Sequence, residues 1–154
     1  MTGPAERLAA LGLTLPPVAA PVAAYVPAVR TGTYVYTSGQ LPTVDGKLPA
    51  VGKVGDEVSA QEAAGMARTC ALNALAAAAS AAGGLEAIRR IVKVTGFVAS
   101  APGFGGQAQV INGASELLIE VFGEDGKHSR SAIGVAELPL NAPVEVELIA
   151  EVRD

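Results

Sequence analysis

The chain of 154 residues has no tryptophan, one cysteine and one histidine, and only 17% of its residues are charged. Each scarcity closes a route. A lone Cys70 cannot form an internal disulfide, and a lone His128 cannot build a histidine-rich metal site, so neither a covalent staple nor a metal is expected. Eleven Lys and Arg against fifteen Asp and Glu give a formal net charge of -4, which offers a phosphate backbone little to hold. Nucleic acid is therefore disfavoured as a partner. No apolar run approaches the ~20 residues that cross a bilayer, and the first residues lack a basic segment followed by a long apolar core. The expectation is a cytoplasmic protein without a membrane partner.

Half of the residues are hydrophobic. A chain of this length fits one domain and buries about 68–70% of the surface its unfolded form exposes. One domain is expected over residues 1–154, with a helix and a proline-rich arm in residues 1–24. Without tryptophan, the core must come from Ala, Val, Leu and Ile, which predicts close packing of small side chains. High apolar content in one small domain also points to surface buried against other copies.

Residues 4–11 read as a short helix with Thr2 as N-cap and Gly12 as stop. Pro16, Pro17 and Pro21 each remove a backbone donor, so residues 13–24 read as an extended arm. Residues 25–29 and 34–38 are β-branched and aromatic runs around a short turn, a hairpin. Its second strand runs into Thr37, Ser38, Gly39 and Gln40, where the glycine lets a ligand approach or serves a bulge. Ser59 and Glu62 form a capping box, an alanine-rich run follows, and Gly83 ends the helix. Residues 88–100 read as a strand and residues 107–122 as a second long helix, whose Asn112–Gly113 pair suggests an irregular first turn. The Pro/Gly loop at residues 101–106 is not a phosphate cradle, because Gln107 and Ala108 stand where a P-loop has lysine and Ser or Thr. His128 lies in a charged turn without a nucleophile motif, and reads as a solvated or capping residue instead of a base.

Two alternating runs in residues 129–152 flank a proline-bounded turn and read as a closing hairpin. Val144, Val146, Leu148, Ala150 and Val152 share one side of the last strand, and Glu145, Glu147, Ile149 and Glu151 the other. One side is core and the other charged. Arg130 emerges at a strand end, either to meet a ligand or to pair with Glu145, Glu147 or Glu151. Strands at both ends and two long helices between them give an α+β class: one mixed sheet with both helices on one face.

Tyr25, the segment Thr37 to Pro42, Asn73, Val92–Lys93–Val94, Ser129–Arg130–Ser131, Leu138–Pro139 and Val144 to Glu147 resemble, in order and spacing, the Rid family, also called YjgF. The resemblance implies a chorismate-mutase-like fold, a homotrimer with clefts between subunits, and hydrolysis of reactive imino acids to keto acids and ammonia. It implies no cofactor. Carried over, Arg130 holds the substrate carboxylate, Glu145 positions water or moves a proton, and Tyr25, Ser38, Gly39 and Asn112 line the pocket. A planar guanidinium suits a carboxylate, and an imine carbon needs only a positioned water and a proton acceptor. Ala132 replaces the cysteine of the best-known branch, and the proline-rich arm is an addition, so the chain resembles a less characterised side branch. Two other functions stay open: a non-catalytic trimer that binds small carboxylates, and a ribonuclease, which the acidic charge disfavours.

Overall fold

The computed structural model describes residues 2–21 and 23–154. The first helix, α1, spans Pro4–Ala10. Gly3, not Thr2, is its N-cap, and no side chain caps it. The first-turn amide of Ala5 donates instead to Glu86 Oε1 at 3.0 Å, so a residue distant in sequence does the work expected of Thr2.

Strands β1, Ala28–Thr31, and β2, Tyr34–Thr37, form the expected hairpin, with Gly32 at φ 57° in the turn. β1 starts only after Pro27, whose missing N–H keeps Tyr25 and Val26 outside the ladder. Helix α2, Ala60–Ala82, carries the expected capping box: Ser59 Oγ accepts from the Glu62 amide, and the Glu62 carboxylate accepts from the Ser59 amide. Gly83 closes it in the left-handed region at φ 95°. Then come β3, Ile88–Ala99; α3, Gln107–Phe122; β4, Ser129–Val135; and β5, Val144–Val152.

The sheet order is β1-β2-β5-β3-β4. Residues 129–152 therefore do not form a hairpin. β3, α3 and β4 make a crossover unit that sets β4 parallel to β3 on its outer edge, while β5 pairs antiparallel with β3 on one side and β2 on the other. Burial explains the outcome. All of Val144, Val146, Leu148, Ala150 and Val152 are buried, as a central strand requires, whereas β4 has no buried residue and suits an edge. A short 3₁₀ turn at Pro139–Asn141 carries the chain past the end of β3, where the Ala99 amide donates to the Pro143 carbonyl at 2.9 Å.

Both long helices cover one face of the sheet, as expected. The α2 side of the core is mostly alanine, including Ala63, Ala67, Ala71, Ala74 and Ala78. These small side chains let the helices come close. Asn112–Gly113 is regular helix, not an irregular turn: a Cβ on Gly113 would overlap the backbone carbonyl of Ala64 in α2. On the other side of α3, a Cβ on Gly96 of β3 would overlap Ile111. Two glycines thus seat α3, and Asn112 with it. Gly113→Ala is expected to destabilise the fold by about 1–3 kcal/mol, because the Ala64 carbonyl is backbone and cannot turn aside. Thermal unfolding checks this, at about 2–4 °C per kcal/mol for a domain of this size.

Two polar residues of α2 tie it to other parts of the fold. Buried Asn73 donates from Nδ2 to the Leu41 and Thr43 carbonyls at 2.9 and 3.1 Å, pinning the loop after β2 to the helix. Arg68 pairs with Glu120 of α3 at 2.7 Å. Among the described residues no helix covers the opposite face of the sheet, and Val29, Tyr34, Tyr36 and Ile133 are exposed. Glu145, Glu147 and Glu151 lie on this open face, because the alternate positions of β5 are in the core.

Candidate functional site

Arg130 is the second residue of β4 and pairs in register with Val94 of β3, which in turn pairs with Leu148 of β5. Both partners are buried beneath the helices, so Arg130 points to the helix side of the sheet. There it meets a polar stripe on α3. Nη1 donates to Asn112 Oδ1 at 2.8 Å and to Ser115 Oγ at 3.1 Å, and Nη2 donates to the Ala108 carbonyl at 3.3 Å. Ala108, Asn112 and Ser115 are four and three residues apart, the spacing of one helix face.

A guanidinium has five N–H donors. Three are held by α3, and those left are the Nε–H and one Nη2–H. They sit on nitrogens bound to one carbon, and both can donate to a carboxylate from outside the chain. The alternative of a structural ion pair fails. Ion pairs among the described residues join Lys53 to Glu137, Arg68 to Glu120, Arg89 to Glu151 and Lys127 to Glu124, and Arg130 is in none of them.

Tyr25, Ser38, Gly39 and Glu145 come together elsewhere. Gln40 bridges Val146 through reciprocal backbone bonds of 2.8 and 3.0 Å, which lays Gly39 against the Glu145 side chain. A Cβ on Gly39 would overlap the Glu145 carboxylate. The glycine serves close approach here, not a bulge. Ser38 Oγ donates to the Val26 carbonyl at 2.6 Å, holding the exposed Tyr25 segment beside this corner. The Glu145 carboxyl has its pKa raised above 4.5, first by burial and second by the neighbouring charge of Glu147. Its proton affinity is thereby moved toward neutrality.

The two groups do not meet within one chain. Arg130 faces the helices and Glu145 faces away from them, so the sheet itself stands between them. A cavity of about 240 Å³ beside Arg130 is lined by Ser115, Ile119, Lys127, His128 and Arg130, and does not reach Glu145.

Of the two expected roles for His128, the solvated one fails and the capping one holds, because its ring bonds the carbonyl of Gly126 at the end of the 3₁₀ turn Gly123–Gly126. His128 is half-buried, with Nδ1 at 2.6 Å from the Gly126 carbonyl and Nε2 at 2.9 Å from Ser115 Oγ. Burial lowers its pKa below 6.5, the Gly126 carbonyl works in the opposite direction, and the Arg130 charge adds to the lowering. Ser115 was invisible as a site residue when taken alone. The available signal was its place three residues after Asn112 on the face of α3 that looks toward the start of β4.

A model of the family described as "YjgF/chorismate mutase-like, putative endoribonuclease" matches residues 5–152. Protein TCP17 of Trypanosoma cruzi is 42% identical over 151 residues, covering 97% of this chain and 94% of its own. Among solved structures, protein Atu1372 of Agrobacterium tumefaciens, described as of unknown function, has a TM-score of 0.90 at 46% identity, over 97% of this chain and 92% of that one. TdcF of E. coli, solved with bound serine, has a TM-score of 0.60 at 29% identity, over 91% of this chain and 94% of its own. The resemblance first carried by a few short motifs therefore holds in sequence and in fold alike, and the chain belongs to the YjgF/chorismate mutase-like family.

Proposed function

We propose that the protein hydrolyses small reactive 2-imino or enamine acids to 2-keto acids and ammonia, as a homotrimer in which Arg130 of one subunit and Glu145 of a neighbour face one cleft. The observation that carries this reading is the anchored guanidinium, with three donors tied to α3, two left over, and no ion-pair partner of its own. Such a group is built to receive a carboxylate from outside the chain. The exposed Val29, Tyr34, Tyr36 and Ile133 on the uncovered sheet face support burial against other copies. The serine held by the related TdcF is a carboxylate of the size proposed.

The chemistry asks little of the protein. Water adds to the electrophilic carbon of the protonated imine while Glu145 takes a proton from it. Glu145 returns that proton to the nitrogen of the resulting carbinolamine and, ionised again, takes the hydroxyl proton as the C–N bond breaks, so that ammonia leaves as the carbonyl forms. A carboxyl whose pKa is raised is a better acceptor for that proton near neutral pH than an ordinary glutamate. The backbone at Gly39 lies against the Glu145 carboxyl, where it would orient the water, with Ser38 holding the Tyr25 segment that would close the cleft.

The test is the loss of 2-iminopropanoate generated in situ, with and without the protein. Acceleration above the buffer rate is expected. No acceleration by folded trimers would replace the deaminase with a non-catalytic binder of small carboxylates. Endoribonuclease activity, named in the family description, is the rival reading, and the net charge of -4 counts against it. True phosphate contacts would show as RNA binding that weakens steeply with salt.

A further inference from the structure

The link from His128 through Ser115 to Arg130 has a direction. The Gly126 carbonyl can only accept, so the 2.6 Å contact assigns the proton of a neutral imidazole to Nδ1 and makes Nε2 an acceptor. Ser115 then donates its one hydroxyl hydrogen to Nε2 at 2.9 Å. That turns the lone pairs of Oγ toward Arg130 Nη1, which donates to it at 3.1 Å. Every donor along the line from guanidinium to Gly126 has an acceptor. With Nε2 removed, the Ser115 hydroxyl is free to rotate, and mid-helix serines then commonly turn to the carbonyl one turn earlier.

We infer that His128 is a positioning residue for Arg130, acting through the Ser115 hydroxyl, which it holds in the one rotor that anchors the inner edge of the guanidinium and leaves the outer edge ready for a carboxylate. The inference rests on the proposed role of Arg130 as carboxylate anchor. Burial first, and the Arg130 charge after it, favour the neutral imidazole that the relay needs, against the pull of the Gly126 carbonyl. Lys127 and Arg130 line the cavity on one side of it, and Arg90, Lys127 and Glu151 line the cleft on the other. Glu151, the one negative group among these, is paired with Arg89 at 3.4 Å.

A double-mutant cycle on the full chain tests the relay. Ser115→Ala and His128→Ala should each raise KM for 2-iminopropanoate by about tenfold with kcat within about twofold, the size of one lost hydrogen bond to a charged group. The double variant should be no worse than either single one, because the line is cut only once. Ser115→Thr, which keeps the hydroxyl, should recover most of the loss. An unchanged KM in His128→Ala, or losses that multiply to about 100-fold in the double variant, would overturn the relay.

Nitrogen NMR of the imidazole gives a second readout that needs no turnover. It should show the Nδ1–H tautomer in the wild type and a His128 pKa that moves upward in Arg130→Gln, which removes a nearby positive charge. If the wild-type protein fails to hydrolyse the imine, the reading of Arg130 falls, and the NMR still decides the relay. An Nε2–H tautomer would end it whatever the activity.

Discussion

Replacing Arg130 with lysine should lower kcat/KM toward 2-iminopropanoate by about 100-fold or more, close to the loss on replacing it with alanine. Lysine keeps the positive charge, so this comparison separates charge from shape. A hydrogen bond to a charged group contributes about 1.5–3 kcal/mol, and each 1.36 kcal/mol is tenfold in rate. Losing two such bonds therefore costs at least two powers of ten even when some attraction survives. Lysine also lacks the planar fork that engages Asn112 Oδ1, Ser115 Oγ and the Ala108 carbonyl together, and its flexible stem would point a compact charge along no fixed line. Steady-state kinetics with thermal unfolding as a control make the measurement. Some loss of stability is expected, since Arg130 ties β4 to α3 by three hydrogen bonds, but the variants should stay folded because Asn112, one of the acceptors set free, is exposed to water. If the lysine variant retains activity within threefold, charge alone anchors the substrate and the fork plays no part.

The elements that were legible in the sequence are those whose signals are local. Ser59 and Glu62 stand three residues apart, and Gly83 ends an uninterrupted alanine-rich run, so α2 could be bounded almost to the residue. The strict alternation of β5 likewise separates Glu145 from the core by pattern alone. Strand order was not local. Adjacent alternating runs suggest a hairpin, and only the crossover through α3, which makes β4 parallel to β3, shows why β5 must sit on the other side of β3. The site suffered from the same limit. Arg130 and Glu145 were both singled out, yet the register alone reveals that they point to opposite faces, and the partner of His128 sits in a helix thirteen residues earlier. Gly113 was misread for a related reason. Its purpose is the carbonyl of Ala64 on another helix, which no pattern within α3 can announce.

Glu145→Gln is expected to reduce kcat about 10²–10⁴-fold, the range for removing a general base, while making the protein more resistant to unfolding at neutral pH. The two effects have one origin. Burial and the charge of Glu147 raise the Glu145 pKa above 4.5, so the folded state disfavours the ionised form relative to the unfolded chain. A carboxyl shifted upward supports the fold below its unfolded pKa, and that support is lost as pH rises through its folded pKa. At pH 7 the charge is a standing cost of holding a base against Gly39 and beside Glu147. Glutamine keeps the shape and removes the charge, so its advantage in unfolding temperature should be present at pH 7 and shrink as pH falls, disappearing about a unit or more below the unfolded pKa, where the wild-type carboxyl is protonated in both states. The rate carries the complementary signature: wild-type kcat should fall on the acid side with an apparent pKa above 4.5, and the residual rate of the variant should lack that limb. A glutamine variant that is slower but also less stable at pH 7 would make Glu145 a structural group, and one that keeps kcat within threefold would remove Glu145 from the proton transfer and leave a hydrolysis that Arg130 anchors without this base.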